Sequence, residues 1–570
     1  MYDERLARHR AEIARLTKRE RAIGWARLAA FALIVVIVFV KPAFVAVPIV
    51  VFTALVIASE PVRAARRRAE AAAAFCERGI ARMRGEWQGR GDGGDDFAEE
   101  HHPFAADLDL FGAGSLFELI SIAATASGRA TLASWLKHPE RATAADVRAR
   151  QATVASLREN VDLREDLFVV ASEVSGEIEA ARLEEWAAEP PLLPSRGELL
   201  ATIALGAFGG VAFFPAVMAL LTLLPRIWAL PLFVALLLRA LLAHRLRARV
   251  QRVIGAVERR EPALALLAGL LRRLEREDFW RAPAGAARIE KLRRLVALLD
   301  ARRNQFFAPL AAMLLWSELV AFAIERWRRQ SGLDIIKWMD AVGETEALLS
   351  LASFAYEHPS FATPEIVEGE AVFDAVAAAH PLIAEDRRVA NDVRLGVLIV
   401  SGSNMSGKST LLRTAGINTV LALAGAPVCA RSLRVTPMAI GASIRIHDSL
   451  AEGASRFYAE ILRIRQTLEM PPPLLFLLDE LLHGTNSHDR RIGAEAIVRR
   501  LVERGAIGLA TTHDLALAHI AEALAPRAAN VHFEDQLEGD AIVFDYKMRQ
   551  GVVTKSNALA LMRAVGIPVT

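Results

Sequence analysis

The sequence predicts a multidomain chain: an α-helical region carrying two transmembrane helical hairpins, followed by a C-terminal α/β domain with an ABC-type P-loop. Three observations carry this prediction. Four apolar runs occur in two pairs, "WARLAAFALIVVIVFV" with "AFVAVPIVVFTALVIAS", and "LLATIALGAFGGVAFFPAVMALLTLL" with "IWALPLFVALLLRALLA". Outside them, Leu/Ala/Arg-rich segments repeat apolar positions at three- and four-residue spacing, the period of a helix with one buried face. From about residue 376, short apolar strands alternate with helices, and "GSNMSGKST" follows one of those strands.

Composition agrees. The 570 residues suffice for roughly three or four domains. Hydrophobic residues make up 53% and mean hydropathy is +0.27, high for a wholly soluble chain, while 24% charged residues require long soluble parts. A formal net charge of +3 gives no global argument for nucleic acid. The two cysteines, Cys76 and Cys429, exclude a disulfide framework or a zinc ribbon and fit a reducing compartment. The charged N-terminal stretch carries no sign of a cleavable signal peptide.

The elements follow in order. Residues 1–23 place Leu6, Ile13 and Leu16 at near-helical spacing among basic residues and predict a basic amphipathic helix. The first hairpin occupies 24–59 and turns at Lys41-Pro42. Its runs fall a little short of the ~20 residues that span a bilayer core. Residues 60–103 read as a helix and a Gly/Asp-rich linker, "GEWQGRGDGGDDFAEEHHP", in which the adjacent His101 and His102 are expected to be solvated rather than metal ligands. Residues 104–375 are mostly helical and are interrupted by the second hairpin at 199–243, which turns at Pro225-Arg226. Residues 376–570 form the α/β domain.

Both hairpins have basic outer flanks. Arg15, Lys18, Arg19 and Arg21 precede the first, Arg63, Arg66, Arg67 and Arg68 follow it, and Arg245, Arg247, Arg249 and Arg252 follow the second. The tips hold only Lys41 and Arg226, so the termini and the ATPase domain are expected in the cytoplasm of a multi-pass protein of a bacterial-type inner membrane. Buried core helices are the alternative. Arg27 and Arg239 within the runs suit that alternative, or snorkelling near the cytoplasmic ends.

The P-loop match runs Gly402, Ser403, Asn404, Met405, Ser406, Gly407, Lys408, Ser409 and Thr410, between a strand-like "GVLIVS" and a helix-like "TLLRTAGINTVLALAG". Glycines let backbone N–H groups turn toward phosphates, and the helix N-terminus adds its dipole. Lys408 is placed to reach the β- and γ-phosphates and Ser409 to ligate Mg²⁺. "PPPLLFLLDELLHGTNS" gives a buried strand ending in Asp479 and Glu480, where ligands bind in open α/β sheets. Asp479 suits Mg²⁺, and Glu480 suits the attacking water of a hydrolysis. "GAIGLATTHDLAL" gives another strand end with Thr511, Thr512 and His513, the histidine within reach of a γ-phosphate. ATP and Mg²⁺ are therefore the expected cofactors.

"DSLAEGASRFYAEI" narrows the class. No Leu-Ser-Gly-Gly-Gln transporter signature is found, whereas Asp448, Leu450, Gly453, Ser455, Phe457 and Glu460 follow the pattern of the MutS (DNA mismatch repair) family. "SGSNMSGKST", "DELLHGTNSHD", "HPLIAEDRRVAND", "LDLFGAGSLFELISIAATASGRATLASWLKHP" and "GVVTKSNALALMRAVGIP" also resemble segments of that family. The resemblance implies a helical core and lever region at 104–375 and a homodimer, in which Ser455 acts on the γ-phosphate held by the other subunit. It also implies DNA as a possible partner.

The sequence departs from the family in three ways. No mismatch-reading domain or Phe-x-Glu wedge is found ahead of the core. The second hairpin stands where levers would extend to a DNA clamp. Arg388 and Val389 occupy the place of an adenine-stacking aromatic before Asn391-Asp392, and Arg388 is open to two roles, stacking by cation–π or facing solvent. The sequence thus predicts a membrane-anchored MutS-like ATPase with membrane lipid as a further partner. Its alternative is a transport- or remodelling-type ATPase that binds no DNA. The Arg-rich helices 245–303 suit a nucleic-acid backbone or anionic headgroups, and a solvated face is the plainer role.

Overall fold

The computed structural model describes residues 1–552 apart from 173–179, 194, 222–224, 283, 301–310, 313, 404–405, 446–455, 483–484, 513–517 and 539–540. The first hairpin consists of two long helices, α1 (Tyr2–Val40) and α2 (Ala46–Met83), joined through a 3-10 turn at Pro42–Phe44. The amphipathic stretch 1–23 is thus not a helix of its own. The change from charged to apolar side chains leaves backbone propensity intact, and Gly24 alone costs only ~1 kcal/mol against alanine. At 1.5 Å per residue each helix is about 57 Å long, nearly twice a ~30 Å hydrocarbon core. The charged halves form a stalk, laced by Arg10–Glu77 at 2.8 Å, Arg63–Glu20 at 3.2 Å and Arg66–Glu20 at 3.1 Å.

The stalk foot is fastened to the helical body by a buried ion pair. Arg82 donates to both Glu357 oxygens, at 2.6 and 2.7 Å, and the Tyr2 hydroxyl donates to Glu357 at 3.2 Å. The Gly/Asp-rich stretch is also fastened rather than free. Arg129 holds Asp92 and Asp96, and Glu118 accepts from the backbone N–H of Gly91 and Gly114. His102 is buried, not solvated as expected, and its Nδ1 accepts from the Ala105 N–H at 3.1 Å. Burial lowers its pKa to about 4, so the ring stays a neutral acceptor.

The body continues through α3 (Leu116–Ile120), α4 (Ala126–Lys137), α5 (Ala144–Leu157), α6 (Val161–Ser172) and α7 (Ala180–Ala188). The second hairpin is α8 (Arg196–Leu220) and α9 (Leu230–Glu258), and α10 (Glu261–Leu274) and α11 (Ala286–Asp300) return to the body. The spine is α12 (Trp316–Glu357), against which α4, α5, α7, α9 and α11 pack. Its fully buried Glu346 accepts from the Thr125 N–H and the Ala124 N–H, so the carboxylate caps the start of α4.

The apolar windows of the four hairpin helices have mean hydropathies of 2.5, 2.3, 2.1 and 2.0 and are only 6%, 11%, 29% and 6% buried. Core helices would be buried, so these are not core helices. Among the described residues, four helices are long and apolar enough to cross a membrane. Arg27, inside the first run, stacks over Phe52 of the facing helix at 5.7 Å.

The C-terminal part holds two sheets. Strands β1 (Glu365–Ile366), β2 (Phe373–Ala378), β3 (Asn391–Arg394) and β5 (Ser432–Val435) form one, in the order β1-β5-β2-β3. The other is six-stranded, built from β4 (Val397–Ser401), β6 (Ala439–Ser443), β7 (Leu474–Leu478), β8 (Ile507–Thr512), β9 (Ala528–Glu538) and β10 (Ala541–Gln550). Its order is β10-β9-β4-β8-β7-β6, parallel except for β10. The continuous burial of β4, β7 and β8 is what a parallel sheet covered on both faces requires. One face carries α13 (Lys408–Ala424) and shares a continuous apolar core with the helical body. The other is covered by α14 (Arg456–Glu469), α15 (Ser487–Glu503) and α16 (Ala518–Ala523).

Candidate functional site

The site is set by where three parallel strands end. β8 lies between β4 and β7, with Ser401 opposite Thr512 and Leu478 opposite Ala510. The chain leaving β4 therefore enters the P-loop beside the acids leaving β7. Gly402 has φ +147° and Gly407 φ +106°, backbone that only glycine adopts freely. A Cβ on Gly402 would lie 3.0 Å from the Phe533 carbonyl oxygen, so both shape and space demand glycine there.

Lys408 is buried at the first position of α13, and its Nζ donates to the carbonyls of Gly402 at 2.8 Å and Ser403 at 2.7 Å. Burial lowers its pKa, opposed by the charges of Asp479 and Glu480, which places those acids in its field. Ser406 closes the turn with its hydroxyl on the Ser403 carbonyl at 2.8 Å. Ser403 Oγ is buried with no partner among the described residues, which fits a loop that a phosphate would complete. Asn404 and Met405 lie outside the described residues, as do Ser455 and His513.

The two acids are held by one hydroxyl. Thr511 Oγ1 donates to Asp479 Oδ1 at 2.5 Å and accepts from the Glu480 N–H at 2.8 Å. Beyond β7 the backbone is strained, with φ +50° at Glu480 and +57° at Leu482. Two further side chains hold that turn. Buried Glu460 accepts from the Leu482 N–H at 2.6 Å, and Arg490 donates to the carbonyls of Leu482 and Thr485, each at 3.1 Å. The acidic end of the "DSLAEGASRFYAEI" pattern thus positions the loop that carries Glu480. Ser409 is half-buried one residue into α13.

A cavity of about 600 Å³ opens from Gly407 along α13. It is lined among others by His380, Arg388, Asn391, Phe544 and Tyr546. The sequence points to the neighbourhood before Asn391 for an aromatic ring; the rings that line this cavity are instead Phe544 and Tyr546, 6.0 Å apart on β10. Tyr546 is one of four tyrosines in the chain, and a ring on an edge strand was the one signal available. Its position is fixed by Asn391, whose Nδ2 donates to the Tyr546 carbonyl and whose Oδ1 accepts from the Met548 N–H. Arg388 is neither solvent-facing nor free to stack on a base. Its Nε donates to the Ile383 carbonyl at 2.8 Å, and its guanidinium lies over Phe361 at 5.4 Å. Burial, then the charges of Arg413 and Arg388, lowers the His380 pKa to about 4, so the cavity wall there is neutral.

The helical body reaches this site through two acids. Asp107 is fully buried and accepts from the N–H groups of Ile444 and Arg445 and from Arg463. Asp109 pairs with Arg413 of α13 and with Arg445. Residues 446–455, which include Ser455, follow directly on this anchor.

Comparison with known proteins agrees with the geometry. Residues 398–570 match the family model for MutS domain V. The match makes this C-terminal part similar to that domain of MutS proteins. A DNA mismatch repair protein MSH3 of Phaeosphaeria nodorum is 30% identical over 243 residues, covering 40% of this chain. The chain spans 22% of that relative's length. The matched region holds residues 402–408, the paired acids Asp479 and Glu480, and the Phe544 and Tyr546 side of the cavity.

Proposed function

We propose that the chain is a membrane-anchored MutS-like ATPase, in which ATP binding draws two copies together and hydrolysis releases them. The observation that carries this is the meeting, at the carboxyl ends of the inner parallel strands β4, β8 and β7, of Lys408 with Asp479, Glu480 and Thr511. The P-loop would hold the phosphates, and Ser409 and Asp479 would hold Mg²⁺, which supplies charge neutralisation on the phosphates when bound. Glu480 would orient the attacking water, and His513 and the partner copy's Ser455 would approach the γ-phosphate. The cavity beside Gly407 would seat the base against Tyr546 and Phe544, taking the role first sought before Asn391. Likeness to MutS proteins supports ATP hydrolysis and a mismatch-repair-related role, with DNA as a candidate partner. The four exposed apolar helices support anchoring in lipid.

Those same helices favour a second function, a transport- or remodelling-type ATPase that binds no DNA. Binding of the purified protein to matched and mismatched duplexes across salt concentrations separates the two. Preference for the mismatch supports repair. Salt-steep binding without preference counts against mismatch sensing, and no binding supports the second function.

A further inference from the structure

Away from the nucleotide site, three potential metal-binding side chains converge from three different helices at the stalk foot. They are His9 of α1, Cys76 of α2 and Glu165 of α6. His9 Nε2 lies 2.9 Å from Glu165 Oε1, and Cys76 Sγ lies 3.9 Å from Glu165 Oε2. All three ligand atoms fall within 4.8 Å of one another. Atoms bound to one tetrahedral zinc sit about 3.3–3.8 Å apart, given bonds of ~2.0–2.3 Å, so small side-chain movements would close the set.

The surroundings support a held cation. Cys76 is fully buried, against an apolar floor of Tyr2, Leu6, Phe75 and Val161. His9 and Glu165 keep 19% and 13% of their side chains exposed, which leaves the cluster open to solvent on one side. Arg5 also contacts Glu165, at 3.3 Å, but it holds Asp162 at 2.6 Å and keeps that partner when Glu165 turns to a cation.

We propose that His9, Cys76 and Glu165 form a binding site for a thiophilic divalent cation of the zinc class, tying both stalk helices to the helical body. One sulfur, one imidazole nitrogen and one carboxylate select such an ion over Mg²⁺ or Ca²⁺, which prefer all-oxygen sites. The site is therefore chemically separate from the Mg²⁺ expected beside Ser409 and Asp479. Because its ligands come from the hairpin and from α6, binding would stiffen the joint between the membrane helices and the body.

The test uses the full chain in detergent, stripped with chelator and free of nucleotide. Titration with Co²⁺ is expected to give a thiolate-to-cobalt charge-transfer band that saturates at one ion per chain and is displaced by Zn²⁺. Cys76→Ser and His9→Gln should each lose the band, while Cys429→Ser, at the other buried cysteine, should keep it. His9→Gln tests the partly exposed ligand should Cys76→Ser fail to fold. Absence of the band in the native chain, or its survival in either ligand variant, overturns the proposal.

Discussion

Replacing Thr511 with valine removes one hydroxyl and keeps the side chain's shape in a fully buried position. That hydroxyl makes two bonds, to the Asp479 carboxylate and from the Glu480 N–H. A hydrogen bond to a charged group contributes about 1.5–3 kcal/mol and one to a neutral group about 1 kcal/mol. About 2.5–4 kcal/mol of local restraint is therefore lost. It is lost at a turn already holding positive φ at Glu480 and Leu482, conformations that cost ~1–3 kcal/mol each. The turn should relax and carry Glu480 out of line with the attacking water. If about half of the lost restraint appears in the barrier, roughly 1.3–2 kcal/mol, kcat falls about 8–30-fold. The P-loop and the cavity are untouched, so KM for ATP should change less than about threefold on the logic that only transition-state interactions are lost. Steady-state ATP turnover measures both constants, and Thr511→Ser, which keeps the hydroxyl, should restore most of the rate. Native turnover in Thr511→Val, or no recovery in Thr511→Ser, would refute the idea that this hydroxyl locks the acids.

Glu480→Gln should retain bound ATP and accumulate as a dimer in size-exclusion chromatography; normal hydrolysis would remove Glu480 from the water-orienting role. Tyr546→Ala should raise KM for ATP roughly tenfold, about the ~1–3 kcal/mol of base–aromatic stacking, with kcat little changed. An unaltered KM would place the base elsewhere. Asp107→Ala leaves two backbone donors and Arg463 without their buried carboxylate, and should cost about 3–5 kcal/mol at the junction between body and ATPase domain. Asp107→Asn, which keeps Oδ1 for both N–H groups, should cost less, and equal sensitivity of the two variants to limited proteolysis would contradict that account.

The glycine-lysine turn after β4 was legible because its pattern is local. Gly402, Gly407 and Lys408 are needed at fixed spacing by the backbone itself, and the apolar runs of β4 and β7 announce a sheet covered on both faces. The cavity beside Gly407 was not legible. It joins Arg388 and Asn391 to Phe544 and Tyr546, more than 150 residues on, through pairing that no local pattern encodes. The stretch at 85–103 looked like a linker because glycine and acid dominate it. Only the tertiary partners Arg129 and the backbone-binding Glu118 show it to be fastened. Likewise the break expected near residue 23 came from a change in side-chain polarity, which helix hydrogen bonds do not feel. The hairpins themselves were readable from composition, and their exposure in the fold separates them from core helices.

ATP turnover followed through a membrane fractionation tests the central claim most directly. The account predicts that activity stays with the membranes through a high-salt wash, is released by detergent, and is absent when Lys408→Ala replaces the native chain. Activity released by salt alone, or turnover unaffected by Lys408→Ala, would contradict it.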